Sequence, residues 1–187
     1  GNLSSVQKFV HLYVNGADWG IMAMEEHISN EFLEKLKRKK SVVVRFSDER
    51  SWKYTDSSQS PYSRYRISDP SLNVHLYGSK KYLQNDQYRK MYSYILKHSI
   101  NYAPYLYDTN SFTKSYILAT AWANWHTLLD YNSKYYLNPY TLTLEPITTD
   151  QLEYLVLDGI KSISHPNLPR QYASIMSTKS YINGLSD

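Results

Sequence analysis

The spacing of apolar residues changes once along the chain, and this change constrains the fold more than any other feature. Side chains alternate between two faces over residues 9–14, which is the period of a β-strand. The next two residues, Asn15 and Gly16, favour a tight hairpin turn, so residues 20–24 are predicted to form the returning strand. After residue 85 the apolar positions instead recur at helical spacing. The sequence therefore predicts an α+β fold in which a small antiparallel sheet precedes a mainly helical region.

Local signals place the remaining elements. Ser29 or Asn30 is expected to cap a helix that runs to about residue 39, and the β-branched residues at 42–46 favour a buried strand. Residues 47–85 are polar and interrupted by Pro and Gly, which indicates a loop. Three further helices are predicted at 85–98, 111–125 and 151–160, with Asp108 or Asn110 as one cap, and a β-hairpin is predicted from strands at 134–137 and 142–147.

These elements fit a single domain, because 187 residues is an ordinary length for one. Within residues 1–187, the small sheet and its helix occupy 1–50, and a variable loop region occupies 51–85. The helical region with the hairpin occupies 86–187. The chain opens at Gly1 without Met, so the 187 residues are expected to be either one domain or a fragment of one.

Composition excludes several classes of chemistry. The chain has no cysteine, so it has neither disulfides nor thiolate metal sites nor a cysteine nucleophile. The net charge of +4 is modest, and no nucleic-acid-binding motif accompanies it, so a nucleic-acid partner is not expected. No stretch approaches the ~18 apolar residues that a membrane span requires. Glycine-rich phosphate loops, zinc-binding His motifs and the nucleophile elbow of acyl-transfer enzymes are absent.

Two polar residues flank the predicted C-terminal hairpin. Asn132 precedes it and Asp150 follows it, and the two ends of a hairpin lie side by side. An amide oxygen and a carboxylate that face one pocket suit Mg²⁺ with the phosphates of a nucleotide. The spacing alone is a weak signal, because most Asn and Asp residues near turns only cap them.

Two segments carry a resemblance to a known family. The first runs from Val10 through Asn15, Gly16, Trp19 and Gly20 to a glutamate pair before a helix. The second runs from residue 124 through a Tyr-rich hairpin and a Pro-containing strand to Asp150. Their order and type resemble the CotH kinase-like family, the atypical protein-kinase-like proteins of the spore-coat protein H type. The two segments cover roughly residues 8–50 and 108–152, which is under half of the chain.

The resemblance implies an atypical protein-kinase-like fold that uses ATP and Mg²⁺. Asn132 and Asp150 match the metal-binding positions of the family. Relatives commonly carry Lys where this chain has Arg45, so Arg45 is the expected anchor for the nucleotide phosphates. Glu26, or its neighbour Glu25, is expected to orient Arg45 as an ion pair. A bacterial cell-surface, spore-coat or secreted context is also implied.

The catalytic base departs from the family pattern. The family places an Asp about five residues before the metal-binding Asn, and this chain has Thr127 there. Asp130 and His126 are the alternatives, and the sequence does not choose between them. Two interpretations follow: an active kinase that phosphorylates protein hydroxyls, with an unknown protein substrate, or a non-catalytic binding or surface-assembly domain that kept the scaffold and lost the base.

Overall fold

The computed structural model describes residues 2–47, 74–78, 80–99, 103–121, 128 and 133–149. The predicted helix at 151–160 and most of the predicted loop lie outside these residues. The described strands are β1 (Leu3–Ser4), β2 (Gln7–Val14), β3 (Ala17–Glu25), β4 (Val43–Phe46), β5 (Val74–Leu76), β6 (Lys134–Leu137) and β7 (Leu144–Thr148). The described helices are α1 (Asn30–Lys35), α2 (Asp86–Ser99) and α3 (Thr109–Ala121), with 3₁₀ turns at Lys80–Gln84 and Pro104–Leu106. The mixed α+β class is confirmed.

Strands β2 and β3 form a separate two-stranded antiparallel sheet, as the sequence predicts. Asn15 and Gly16 both have positive φ, 53° and 81°, which is the backbone of the hairpin turn that an Asn-Gly pair favours. Large apolar side chains of this hairpin remain open to solvent, with Phe9 84% and Ile21 73% exposed. A two-stranded sheet without a partner is only marginally stable by itself.

The other five strands form one mixed sheet in the order β1-β7-β6-β4-β5. The sequence predicts the C-terminal hairpin β6–β7 as an interruption of the helical region, whereas the structure puts it at the centre of the sheet. Burial explains the difference. Tyr135, Tyr136 and Leu137 on β6 are all buried, so both faces of this strand must be covered. β1 closes the far edge by pairing in parallel with β7.

The region expected to be a loop contains regular structure at its C-terminal end. β5 pairs antiparallel with β4, and the 3₁₀ turn Lys80–Gln84 follows it. The pairing partner lies 30 residues earlier in sequence, so no local pattern reveals it. Val74 is buried against the core, which the polar surroundings of this segment concealed.

Each face of the five-stranded sheet covers one apolar cluster. The larger cluster lies on the α2 and α3 face and contains Val44, Phe46, Ile95, Leu106, Phe112, Tyr135 and Leu137 among others. The smaller cluster lies beneath α1 and contains Leu3, Ile28, Phe32, Leu33, Val43, Tyr136 and Ile147. We call this second surface the α1 face. Among the described helices, none is long and apolar enough to cross a membrane.

α1 is shorter than the sequence predicts. Its start is as expected, because the Ser29 hydroxyl accepts a hydrogen bond from Phe32 N. The helix ends at Lys35 rather than near residue 39, because Lys37 adopts a left-handed backbone with φ of 56°. Arg38 N then donates to Leu33 O at 2.8 Å, which closes the last turn.

The chain after α1 is fixed to the sheet by a largely buried ion pair. Arg38 Nη2 lies 2.8 Å from Glu145 Oε2 on β7, and Arg38 Nε donates to the same oxygen at 2.9 Å. Asn138 Nδ2 donates to the other carboxylate oxygen at 2.8 Å. Beside this network the Tyr136 hydroxyl donates to Lys39 O at 2.7 Å. Burial raises the pKa of Tyr136 to about 12, and the Glu145 carboxylate adds to the rise.

Candidate functional site

The structure describes two of the six predicted site residues. Asn132 and Asp150, the expected metal ligands, lie outside the described residues, and so do the two candidate bases, Asp130 and His126. Their predicted roles stay predictions. Arg45 and Glu26 are described, together with the strands that lead to the expected metal ligands.

The strand that carries Arg45 lies beside the hairpin that the metal ligands flank. β6 begins at Lys134, two positions after Asn132, and Lys134 stands opposite Arg45 in the register of β6 and β4. β7 ends at Thr148, and Thr149 separates it from Asp150. Lys134 Nζ donates to Thr149 Oγ1 at 2.8 Å, so the described ends of the two strands are bonded to each other. The sheet thus brings together chain segments whose site residues are far apart in sequence.

Three basic side chains form a row across this end of the sheet. His75 on β5, Arg45 on β4 and Lys134 on β6 occupy directly paired positions, so they share the α1 face. All three are half-buried. We call them the basic row. Of the three, Arg45 and Lys134 are cationic side chains at directly paired positions. A phosphate group suits such a site, because Arg binds it through two parallel hydrogen bonds.

The two candidate acidic partners of Arg45 have different surroundings. The Glu26 carboxylate lies 3.1 Å from Lys35 Nζ, at the end of α1. Glu25 instead affects the pKa of Tyr77, a residue whose pKa Arg45 also affects. Burial raises the pKa of Tyr77, the Glu25 carboxylate raises this pKa further, and the Arg45 guanidinium opposes the rise. Both charges therefore act on one hydroxyl, and Ser5 Oγ holds Glu25 by a 2.5 Å hydrogen bond.

Lys134, His75 and Tyr77 were not found by reading the sequence. The signal for Lys134 was present, because it follows Asn132 by two positions and begins the predicted strand. The signal for His75 and Tyr77 was absent, because both lie in the segment predicted as a loop. Their proximity to Arg45 depends on the pairing of β4 with β5, which is a tertiary property.

Within the described part of the chain, no group of three or more His, Asp or Glu residues is arranged to hold a metal ion. The expected Mg²⁺ ligands Asn132 and Asp150 are outside that part. The described residues place Arg45 and Lys134 side by side on a half-buried strand surface, and Arg and Lys are side chains that bind phosphate oxygens.

The chain was compared with models of known protein families and with curated proteins. No family model and no curated protein matches it.

Proposed function

We propose that this chain is an ATP- and Mg²⁺-dependent domain of the CotH kinase-like type, which transfers a phosphoryl group to a protein hydroxyl. One observation carries the proposal. Arg45, the expected phosphate anchor, is paired with the first residue of the strand that follows Asn132. A chance resemblance in two separate segments gives no reason for the segments to adjoin in the sheet.

Each residue has a defined part in this proposal. Arg45 and Lys134 bind phosphate oxygens and offset their charge. Asn132 and Asp150 would hold Mg²⁺, which neutralises the phosphates when it is bound. His126 or Asp130 orients the attacking hydroxyl and accepts its proton. Thr127 stands where the family usually has an Asp, so the part of the base passes to one of these two residues.

Calorimetric titration with ATP and Mg²⁺ tests the proposal. We expect Asp150→Ala to abolish Mg²⁺-dependent binding, because a fixed anion is lost from the coordination shell. Asn132→Ala removes only a dipole and should weaken binding less. His126→Ala and Asp130→Ala should preserve binding and reduce turnover in a phosphoryl-transfer assay. Asp18→Ala, on the separate β2–β3 sheet, is the matched control. A wild-type chain without affinity for ATP in Mg²⁺ or Mn²⁺ would overturn the proposal.

A second candidate function is a non-catalytic binding or surface-assembly domain. The observation that favours it is the β2–β3 hairpin, where Phe9, Tyr13, Trp19, Ile21 and Met24 are each more than half exposed. Exposed apolar groups at this density are typical of protein-interaction surfaces. Sedimentation velocity over a range of protein concentrations tests this candidate. The double variant Phe9→Ser with Ile21→Ser should reduce self-association, whereas the equally exposed Tyr140→Ser should not.

A further inference from the structure

A cleft of about 290 Å³ lies at the start of β4 and the end of β5, and Val43 in its lining is two residues before Arg45 of the basic row. It lies between the start of α1, strands β4 and β5, and the 3₁₀ turn after β5. Apolar side chains, Ile28, Leu33 and Val43, line its interior. Aromatic side chains, His27, Tyr77 and Tyr82, line it as well. Its volume lies at the lower end of the range of small-molecule sites, which suits a ligand of one or two rings.

The aromatic lining is held in place by specific contacts. Asn30 Nδ2 donates to the Tyr82 hydroxyl at 2.8 Å, and Lys40 Nζ lies 5.1 Å from the centroid of the Tyr82 ring. Tyr88 contacts Tyr82 edge to face, with ring centroids 5.8 Å apart. The rings of His27 and Tyr77 lie 5.8 Å apart at an angle of 34°. Fixed rings favour a flat ligand, because stacking on them costs little side-chain entropy.

The cleft also has polar groups that are open to a ligand. Among the described residues, neither the His27 ring nitrogens nor the Tyr77 hydroxyl has a hydrogen-bond partner. These groups complement the edge of a heteroaromatic ring, which carries donors and acceptors in its own plane. A purely apolar ligand would leave them unsatisfied.

We propose that this cleft binds the base of a nucleotide whose phosphates lie along the basic row. Tyr77 N donates to Val43 O at 2.9 Å, so Tyr77 stands beside Val43 at the cleft. Arg45 follows Val43 by two residues on the same face, a separation of about 7 Å along the strand. The ribose of a nucleotide bridges a gap of this order. The inference rests on the proposed function, which requires a nucleotide but does not say where its base binds.

Separate titrations with adenosine and with tripolyphosphate plus Mg²⁺ test the two parts independently. Stacking of a base on an aromatic side chain contributes about 1–3 kcal/mol, so Tyr77→Ala should weaken adenosine binding roughly tenfold. His27→Ala replaces an exposed side chain and should weaken it less without affecting folding. Tyr77→Phe keeps the aromatic ring, so it separates the loss of stacking from a loss of the fold. None of these variants should change the affinity for tripolyphosphate, and Tyr140→Ala is the control for a tyrosine outside the cleft.

The outcomes separate the two proposals. Adenosine affinity that is absent, or that none of the cleft variants changes, overturns the inference. If tripolyphosphate still binds and Arg45→Ala weakens it, the phosphate part of the proposed function survives that failure. Adenosine binding that depends on Tyr77, in a chain with no affinity for tripolyphosphate, supports the cleft and overturns the proposed function. If the cleft variants lose affinity only for adenosine, and Arg45→Ala loses affinity only for tripolyphosphate, both proposals are supported.

Discussion

Arg45 and Lys134 stand directly opposite each other on the antiparallel strands β4 and β6, with both side chains on the α1 face. They are 89 positions apart in sequence, so only the completed sheet makes them neighbours. This pairing of two cationic side chains is the relationship on which the proposed phosphate site rests.

The basic row predicts how ligands affect thermal stability. Tripolyphosphate should raise the melting temperature of the wild-type chain, because a ligand that binds only the folded state stabilises it. Arg45→Ala and Lys134→Ala should each reduce the affinity by about tenfold or more, since a charge-assisted hydrogen bond contributes about 1.5–3 kcal/mol. Differential scanning fluorimetry against tripolyphosphate concentration measures both effects. Lys114→Ala, on the exposed side of α3, should bind like the wild type; an equal loss there would contradict a specific row.

The Arg38–Glu145 pair predicts a large loss of stability when one partner is removed. Arg38→Met leaves the buried Glu145 carboxylate without its cation, which should reduce the free energy of unfolding by about 3 kcal/mol. The double variant Arg38→Met with Glu145→Gln should recover much of this loss, because no buried charge remains. Urea denaturation followed by circular dichroism gives the values. Lys35→Met breaks the exposed pair with Glu26 and should cost under about 1 kcal/mol.

Tyr136 predicts a contribution to stability that depends on alkaline pH. Its pKa is about 12 in the folded chain and near the ordinary value of 10 in the unfolded chain. The folded state therefore keeps a proton that the unfolded state releases first. The stabilising contribution is fully present below pH 10 and disappears as the pH rises to about 12. Tyr136→Phe should lower stability by about 1 kcal/mol at pH 8, because the bond to Lys39 O is lost.

Denaturation of both proteins from pH 8 to 12 checks this prediction. The difference in unfolding free energy between the wild type and Tyr136→Phe should shrink above pH 10. Tyr140→Phe, which replaces an exposed tyrosine, should follow the wild type throughout. A difference that stayed constant up to pH 12 would show that the buried phenol is not responsible.

Lys37 predicts a stabilising substitution. A residue with a side chain pays about 1–2 kcal/mol for the left-handed backbone that Lys37 adopts, and glycine does not. Part of this gain is lost to the greater freedom of glycine in the unfolded chain. Lys37→Gly should therefore raise the free energy of unfolding by about 0.5–1 kcal/mol in a urea titration. Lys39→Gly, at an exposed position without positive φ, should give no increase, and an increase there would point to charge rather than backbone.

Local features were predictable from the sequence where the cause is itself local. The Asn15-Gly16 turn and the Ser29 cap depend only on nearby residues, and both are present. Asp108 also caps α3, with its carboxylate accepting from Ser111 N at 2.7 Å. The β-branched residues Val43 and Val44 favour a strand, and both are buried in β4 as predicted.

Long-range features were not predictable, because their cause lies in residues that are far away in sequence. β5 forms because β4 offers it an edge, and nothing within three residues of Val74 encodes that edge. The early end of α1 was not predictable from the sequence. The left-handed position after the helix is usually occupied by glycine, whereas this chain has Lys37 there. Of the candidate site, Arg45 was found by resemblance, whereas its neighbour Lys134 required the strand register.

The sheet order also determines how long the first strands remain unpaired while the chain is being synthesised. β4 leaves the ribosome 88 residues before β6, so at about 5–20 residues per second its apolar residues wait roughly 4 to 18 s for their central partner. β1 waits longer still, since its parallel partner β7 is translated after β6. During synthesis the early strands are thus exposed edges, and Val43, Val44 and Phe46 lack their central partner strand until the late hairpin is made.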